Sequence, residues 1–136
     1  DRVDFEGDTL RIIDYKTGAP PSKMEVAAGF APQLPLEALI IQAGGFDGIS
    51  KKPVSDLNYW RLRGSNPAGE ILSISENPRQ LAAEAEEGVS ALIRQFDDVR
   101  TPYESRPRPE NAPKFSDYEH LARVKEWSTS DSENNS

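Results

Sequence analysis

The sequence predicts an α/β domain built on a mixed sheet. Three observations carry this. Two short runs of alternating apolar residues, 2–6 and 9–15, flank a glycine turn. An apolar, helix-compatible run follows a proline-rich loop and stops at Gly44-Gly45. A second strand pair then precedes the clearest helix of the chain, from Pro78 to Phe96. Strand pair, helix, strand pair, helix is the order of a mixed sheet flanked by helices.

Each element has a local reason. In "EGDT", Gly7 and Asp8 suit a two-residue hairpin turn with glycine in the first central position. Glu6 then pairs with Thr9, Phe5 faces Leu10, Val3 faces Ile12 and Asp1 faces Asp14. Paired residues share a face of the sheet. Val3, Phe5, Leu10 and Ile12 therefore form one apolar face that ends in two carboxylates, and Lys16 follows on it two residues past Asp14. Residues 17–32 hold three prolines and two glycines and read as a loop, with a short helical turn at 22–28. The run from Leu36 is helical, with Pro35 in a first turn where its missing N–H costs little.

Residues 46–53 are expected to be a loop. Leu57 to Arg63 alternates as a strand, "SNPAG" turns the chain, and "EILSIS" supplies the partner strand. Asn77 is an N-cap, Pro78 takes the first helical position and Gln80 can complete a capping box. Leu81, Ala85, Val89, Leu92 and Phe96 form the apolar stripe of that helix, with Ala82 and Ile93 beside it. Glu84, Glu86 and Glu87 form its solvated face. Residues 97–113 are rich in Pro, Arg and Glu and read as extended. A short helix is expected over 115–127, anchored by Trp127. Residues 128–136, "STSDSENNS", read as a disordered polar tail. The domain reading is thus 1–127 plus a tail at 128–136.

Composition narrows the function. Of 136 residues, 36% are hydrophobic and 29% charged, and the formal net charge is -7. Free-standing nucleic-acid binders are usually basic, so a simple electrostatic DNA binder is disfavoured. An enzyme that meets DNA through a metal ion is not. Cysteine is absent, which excludes disulfides, thiolate zinc sites and a cysteine-ligated iron–sulfur cluster within this chain. No apolar run approaches the roughly 18 residues of a membrane span, and no signal sequence is visible. A cytoplasmic location without membrane contact is the expectation. No G-x-x-x-x-G-K-[ST] motif occurs, so any coupled ATPase lies elsewhere. The chain opens inside a strand without an initiator Met, which reads as a fragment of a longer protein.

The chemistry concentrates in "LRIIDYKTG". Two carboxylates across a strand pair, Asp1 and Asp14, repel unless a cation lies between them. Hard oxygen ligands suit Mg²⁺ or Mn²⁺. Such a metal polarises a phosphoryl oxygen and acidifies a bound water, and Lys16 beside it can stabilise charge growing on the phosphate. A surface ion pair between Asp14 and Lys16 fits the same spacing. His120 reads as a packing or surface residue, and Tyr59 and Trp60 as core residues or base-stacking platforms. Arg61, Arg63, Arg106 and Arg108 read as solvated, ion-paired or phosphate-contacting.

"DRVD", "IIDYKTG" and "PQLPLEA" together resemble the PD-(D/E)xK nuclease superfamily in its RecB-like branch. The loop "GAPPSKMEVAAGFAPQLPLEA" and the tail "RPRPENAPKFSDYEHLARVKEWS" narrow the resemblance to the C-terminal nuclease domain of AddB-type subunits of alphaproteobacterial AddAB helicase–nucleases. The resemblance spans nearly the whole chain. It implies a restriction-endonuclease-like α/β fold, here truncated at its N-terminus. It implies Asp1 and Asp14 as acidic metal ligands, the Tyr15 backbone carbonyl as a further ligand, Lys16 as the catalytic lysine and Gln33 as the motif glutamine. Thr17, Gly18, Ser22 and Lys23 would line the path of a DNA strand. Mg²⁺ is the implied cofactor, with Mn²⁺ able to substitute. DNA and an AddA-type helicase subunit are the implied partners.

Two features depart from that pattern. Glu37 stands where the branch often has Tyr four residues after the glutamine. The helix that supplies another metal ligand in this branch would precede Asp1. Two function classes follow. One is a metal-dependent DNA exonuclease domain of an ATP-dependent helicase–nuclease acting in double-strand break repair by recombination. The other is a catalytically incomplete scaffold that binds DNA or the partner helicase subunit.

Overall fold

The computed structural model describes residues 1–64, 66–104 and 121. Contacts divide the chain into two units, Asp1–Val99 and Arg100–Ser136, and the first holds every element named here. Leu121 is exposed. The rest of the helix expected over 115–127, with His120 and Trp127, lies outside the described residues. So do the tail at 128–136, the proline-rich stretch from 105, Arg106 and Arg108.

Strand β1 (Arg2–Glu6) and strand β2 (Thr9–Lys16) form the expected hairpin. Glu6 pairs with Thr9, Phe5 with Leu10 and Val3 with Ile12. Gly7 supplies the turn with φ 61, a conformation that costs a residue with a Cβ about 1–2 kcal/mol. Lys52 Nζ donates to the Gly7 carbonyl at 2.8 Å. A short helix, α1 (Lys23–Ala27), follows. Ser22 caps it in a full capping box with Glu25.

Helix α2 (Gln33–Ala43) takes in the apolar run from Leu36 and the first turn expected at Pro35. Pro35 sits within its first turn, where no intrahelical N–H is required, so the helix extends back to Gln33. Gly44, at φ 79, ends it in the left-handed conformation. Strand β3 (Val54–Leu62) starts earlier than expected and lies parallel to β2. Strand β4 (Gly69–Ser73) pairs antiparallel with β3. Helix α3 (Pro78–Asp97) then packs against α2 and β3.

The sheet order is β1-β2-β3-β4, with the parallel pair at its centre. This is the mixed sheet flanked by helices of the restriction-endonuclease-like α/β class. The core gathers Leu10, Ile12, Leu57 and Tyr59 from the strands, Val26 from α1, Leu34, Ala38 and Ile41 from α2, and Ile74 and Ala82 around the start of α3. All four strand residues share one face. The other face carries a polar network: Arg11 meets Glu6 at 2.8 Å and Asp56 at 3.5 Å. Asp56 accepts from Asn58 Nδ2 at 2.8 Å and from Ser73 Oγ at 3.1 Å.

Three expectations are corrected. Phe5 shares the apolar face in register but is 60% exposed, because β1 is an edge strand and its end lies beyond the helices' cover. Lys52 Nζ sits 5.9 Å from its ring centroid instead. Leu92, Ile93 and Phe96 are exposed, so among the described residues the stripe of α3 is covered only toward its N-terminal half. The capping box of α3 is half formed. Gln80 N–H donates to Asn77 Oδ1 at 3.2 Å, while Asn77 N–H donates to Ser75 Oγ at 3.0 Å, so the Gln80 side chain accepts from Asn77 Nδ2 at 3.3 Å rather than from the cap backbone.

Leu57→Ala, at 0% exposure in the middle of the sheet, is expected to cost about 2–5 kcal/mol. Phe5→Ala on the same face should cost less than about 1 kcal/mol, the scale of an exposed cation–π contact. Urea unfolding of both variants checks the pair. Burial, reinforced by Asp14, Glu37 and Glu25, pushes the Tyr59 hydroxyl up to about 12. Its unfolded value is about 10. The neutral hydroxyl therefore contributes stability that is fully present below pH about 10 and lost as pH rises toward about 12. Unfolding free energies measured across that range should fall more steeply for the native chain than for Tyr59→Phe; parallel curves would contradict the assignment.

Candidate functional site

The site forms where the parallel pair β2–β3 reaches its C-terminal end. Asp14 and Lys16, two residues apart on β2, share the face that holds the core. The parallel ladder sets Tyr59 opposite Asp14 and Arg61 opposite Lys16. Apolar packing runs up to Tyr59 and then gives way to charge.

Asp14 is only 4% exposed. Its Oδ2 lies 2.5 Å from Lys16 Nζ, in an ion pair without hydrogen-bond alignment, so this buried oxygen has no hydrogen-bond partner. That separates it from the bland alternative of a surface ion pair, in which water would solvate the carboxylate. Removing such an oxygen from water is costly unless a cation compensates, and here the Lys16 ammonium does so. Lys16 Nζ also lies 5.6 Å from the Tyr59 ring centroid. The ring face and the carboxylate together fix where the ammonium sits.

Helix α2 brings the second half of the site. Gln33, in its first turn, donates from Nε2 to Asp1 Oδ2 at 2.8 Å and to Glu37 Oε1 at 3.1 Å. Glu37 lies one turn further along the same face of the helix. Asp1 immediately precedes Arg2, which pairs with Ile13 at the end of the hairpin ladder. The fields of Asp14 and of Glu37 both act on the Tyr59 hydroxyl. One side-chain amide thus joins the start of β1 to α2, and one tyrosine lies under the influence of both halves.

The remaining residues named from sequence are placed as follows. The Tyr15 side chain turns to the opposite face, where its ring meets Trp60 edge-on with centroids 5.8 Å apart. Arg2 lies over the same indole at 5.9 Å. Only the Tyr15 backbone is available to the face of Asp14. Thr17 and Gly18 are exposed just past β2. The Ser22 hydroxyl is engaged in the α1 cap, where it accepts from Glu25 N–H at 3.2 Å and donates to Glu25 Oε2 at 2.7 Å. The Ser22 backbone N–H donates to the same Oε2 at 2.8 Å, and this bond first, then the one from the Ser22 hydroxyl, holds the Glu25 carboxyl below its ordinary value. Lys23 opens α1 and is exposed.

Sequence reasoning missed Tyr59 as a contact of Lys16 and Glu37 as a partner of Gln33. The signal for Glu37 was its spacing of four from Gln33. Tyr59 carried none, because its neighbour on β2 is set by a pairing 45 residues apart in the chain. A buried carboxylate such as that of Asp14 is a hard oxygen donor of the kind that suits a divalent cation. Among the described residues no three metal-ligating side chains gather in one cluster, and Mg²⁺ needs only one or two carboxylates with water completing its shell.

Among the described residues no helix is long and apolar enough to cross a membrane. No solved structure matches the chain. A 48-residue stretch is 42% identical to an uncharacterized protein of Rickettsia bellii, covering 35% of this chain and 6% of that protein. A 71-residue stretch is 34% identical to an uncharacterized protein of Rickettsia felis, covering 49% of this chain and 8% of that protein. The matched stretches therefore span less than a tenth of these relatives. The family model of the PD-(D/E)XK nuclease superfamily matches residues 1–112, a span that includes the hairpin, Gln33 and both strands of the parallel pair, and the chain belongs to that superfamily.

Proposed function

We propose that this chain carries a metal-dependent DNA exonuclease activity, the nuclease module of an AddAB-type helicase–nuclease that works with an AddA-type helicase subunit in recombinational repair of double-strand breaks. The observation that carries the reading is the buried Asp14 carboxylate at a strand end, its Oδ2 ion-paired to Lys16 Nζ at 2.5 Å. Family membership supports it. The short motifs at Asp1, Asp14–Lys16 and Gln33 support the RecB-like branch, and the resemblance of the proline-rich loop and the tail supports the narrower identity.

In this reading Asp1, Asp14 and the Tyr15 carbonyl hold Mg²⁺, or Mn²⁺ in its place. The bound ion supplies Lewis-acid polarisation of the scissile phosphate and a more acidic water. Lys16 orients the attacking water and stabilises negative charge on the phosphoryl oxygens. Water adds to phosphorus, the P–O bond to the leaving nucleotide breaks, and the leaving oxygen takes up a proton. Tyr59 holds the Lys16 ammonium from below. Gln33 keeps the Asp1 carboxylate in place by donating to it. Thr17, Gly18, Ser22 and Lys23 line the entry path of a single strand produced by unwinding.

A second reading, a scaffold that binds DNA or the helicase partner without cutting, draws on one observation. No cluster of three metal-ligating side chains forms among the described residues.

Cleavage of a single-stranded oligonucleotide in Mg²⁺ tests the two. Asp14→Ala and Lys16→Ala are each expected to lower the rate by about 10²-fold or more, the scale of losing one preorganised electrostatic group, with the fold intact by circular dichroism. Chelation should abolish cutting. Cleavage that survives both substitutions would remove the nuclease reading.

A further inference from the structure

Arg61 stands across the parallel ladder from Lys16, just as Tyr59 stands across from Asp14. The four side chains share one face of the sheet. On its other side Arg61 is in register with Glu70 of β4. That carboxylate is already taken, because Glu70 Oε2 accepts from Arg63 Nη2 at 3.2 Å. Arg61 is half-buried, and its Nε is sealed from solvent with no hydrogen-bond acceptor. Among the described residues no carboxylate forms an ion pair with it.

A guanidinium is always charged and presents a planar fork of donors that matches the oxygens of a phosphate. Leaving such a group half-buried without an acceptor is unfavourable for the free protein, and an incoming anion relieves it. The chain as a whole is acidic, at -7, so a strand of DNA must be drawn by local cations rather than by net charge. Lys16 and Arg61 supply two, on strands about 4.8 Å apart.

We propose that Arg61 is a phosphate-binding residue that grips the backbone of single-stranded DNA at the Lys16 edge of the site. It acts by charge and by the donor fork, and it reads no sequence. The inference rests on the nuclease reading of Asp14 and Lys16, but its test uses neither metal nor cleavage.

The test is fluorescence anisotropy of a labelled single-stranded oligonucleotide with the full chain in EDTA, over a series of salt concentrations. Arg61→Ala is expected to weaken binding about tenfold and to lower the salt slope by about one. Arg61→Gln keeps a polar side chain of similar packing and should show the same losses, which separates binding from folding. Arg61→Lys keeps the charge and the salt slope but recovers only part of the affinity. Arg94→Ala removes the same charge from α3 and should change neither quantity. Native-like affinity and slope in Arg61→Ala and Arg61→Gln would overturn the proposal, as would a native chain that binds no oligonucleotide. Loss of Asp14-dependent cleavage leaves this binding result standing, and an unchanged salt slope leaves the nuclease reading standing, so the two failures are distinguishable.

Discussion

A parallel pair of strands cannot be closed by a tight turn, and the site depends on that constraint. To lie parallel, β2 and β3 need a crossover between them. Here the crossover contains α1 and α2, and α2 is what carries Gln33 and Glu37 to the start of β1. The same pairing sets Tyr59 opposite Asp14 and Arg61 opposite Lys16. A shift of one residue in this register would turn Asp14 and Lys16 away from both neighbours. Backbone hydrogen bonding between two central strands thus fixes the environment of each charged group.

Packing and chemistry meet within a few residues. Leu10 and Ile12 are buried in the core, and Asp14 on the same face is buried almost as deeply. A carboxylate in that position is tolerated because Lys16 neutralises it and because the sheet ends there. The ion pair is weak evidence for stability, since desolvation offsets much of the attraction. Its retention at a strand end makes more sense as a poised arrangement. In the proposed reading a divalent cation joins Asp14 and leaves the ammonium, already seated on the Tyr59 ring, facing a phosphate.

Local features of the fold and site were legible in the sequence. The Gly7-Asp8 turn fixed the hairpin register from Glu6–Thr9 to Arg2–Ile13. The position of Asp14 and Lys16 on one face follows from strand alternation alone. Gln33 was legible only through the resemblance of its motif. Contacts made across the parallel ladder were not legible, because no local pattern tells which residue of β3 will lie beside Lys16. The neighbours of Arg61 and Tyr59 across the ladder are therefore known only once the pairing is known. Phe5 shows the converse limit: alternation assigns a face but not whether the helices extend far enough to cover it. Proline was a sound guide at α2, where Pro35 lies in the first turn as expected and the helix begins two residues before it.

The claim that joins these points is that the buried Asp14 carboxylate is a metal ligand. Mn²⁺ binding by calorimetry, on the native chain and on Asp14→Ala, tests it most directly. Saturable binding that disappears in the variant, with the fold unchanged, is the expected result. Equal binding by both proteins, or none by the native chain, would contradict it.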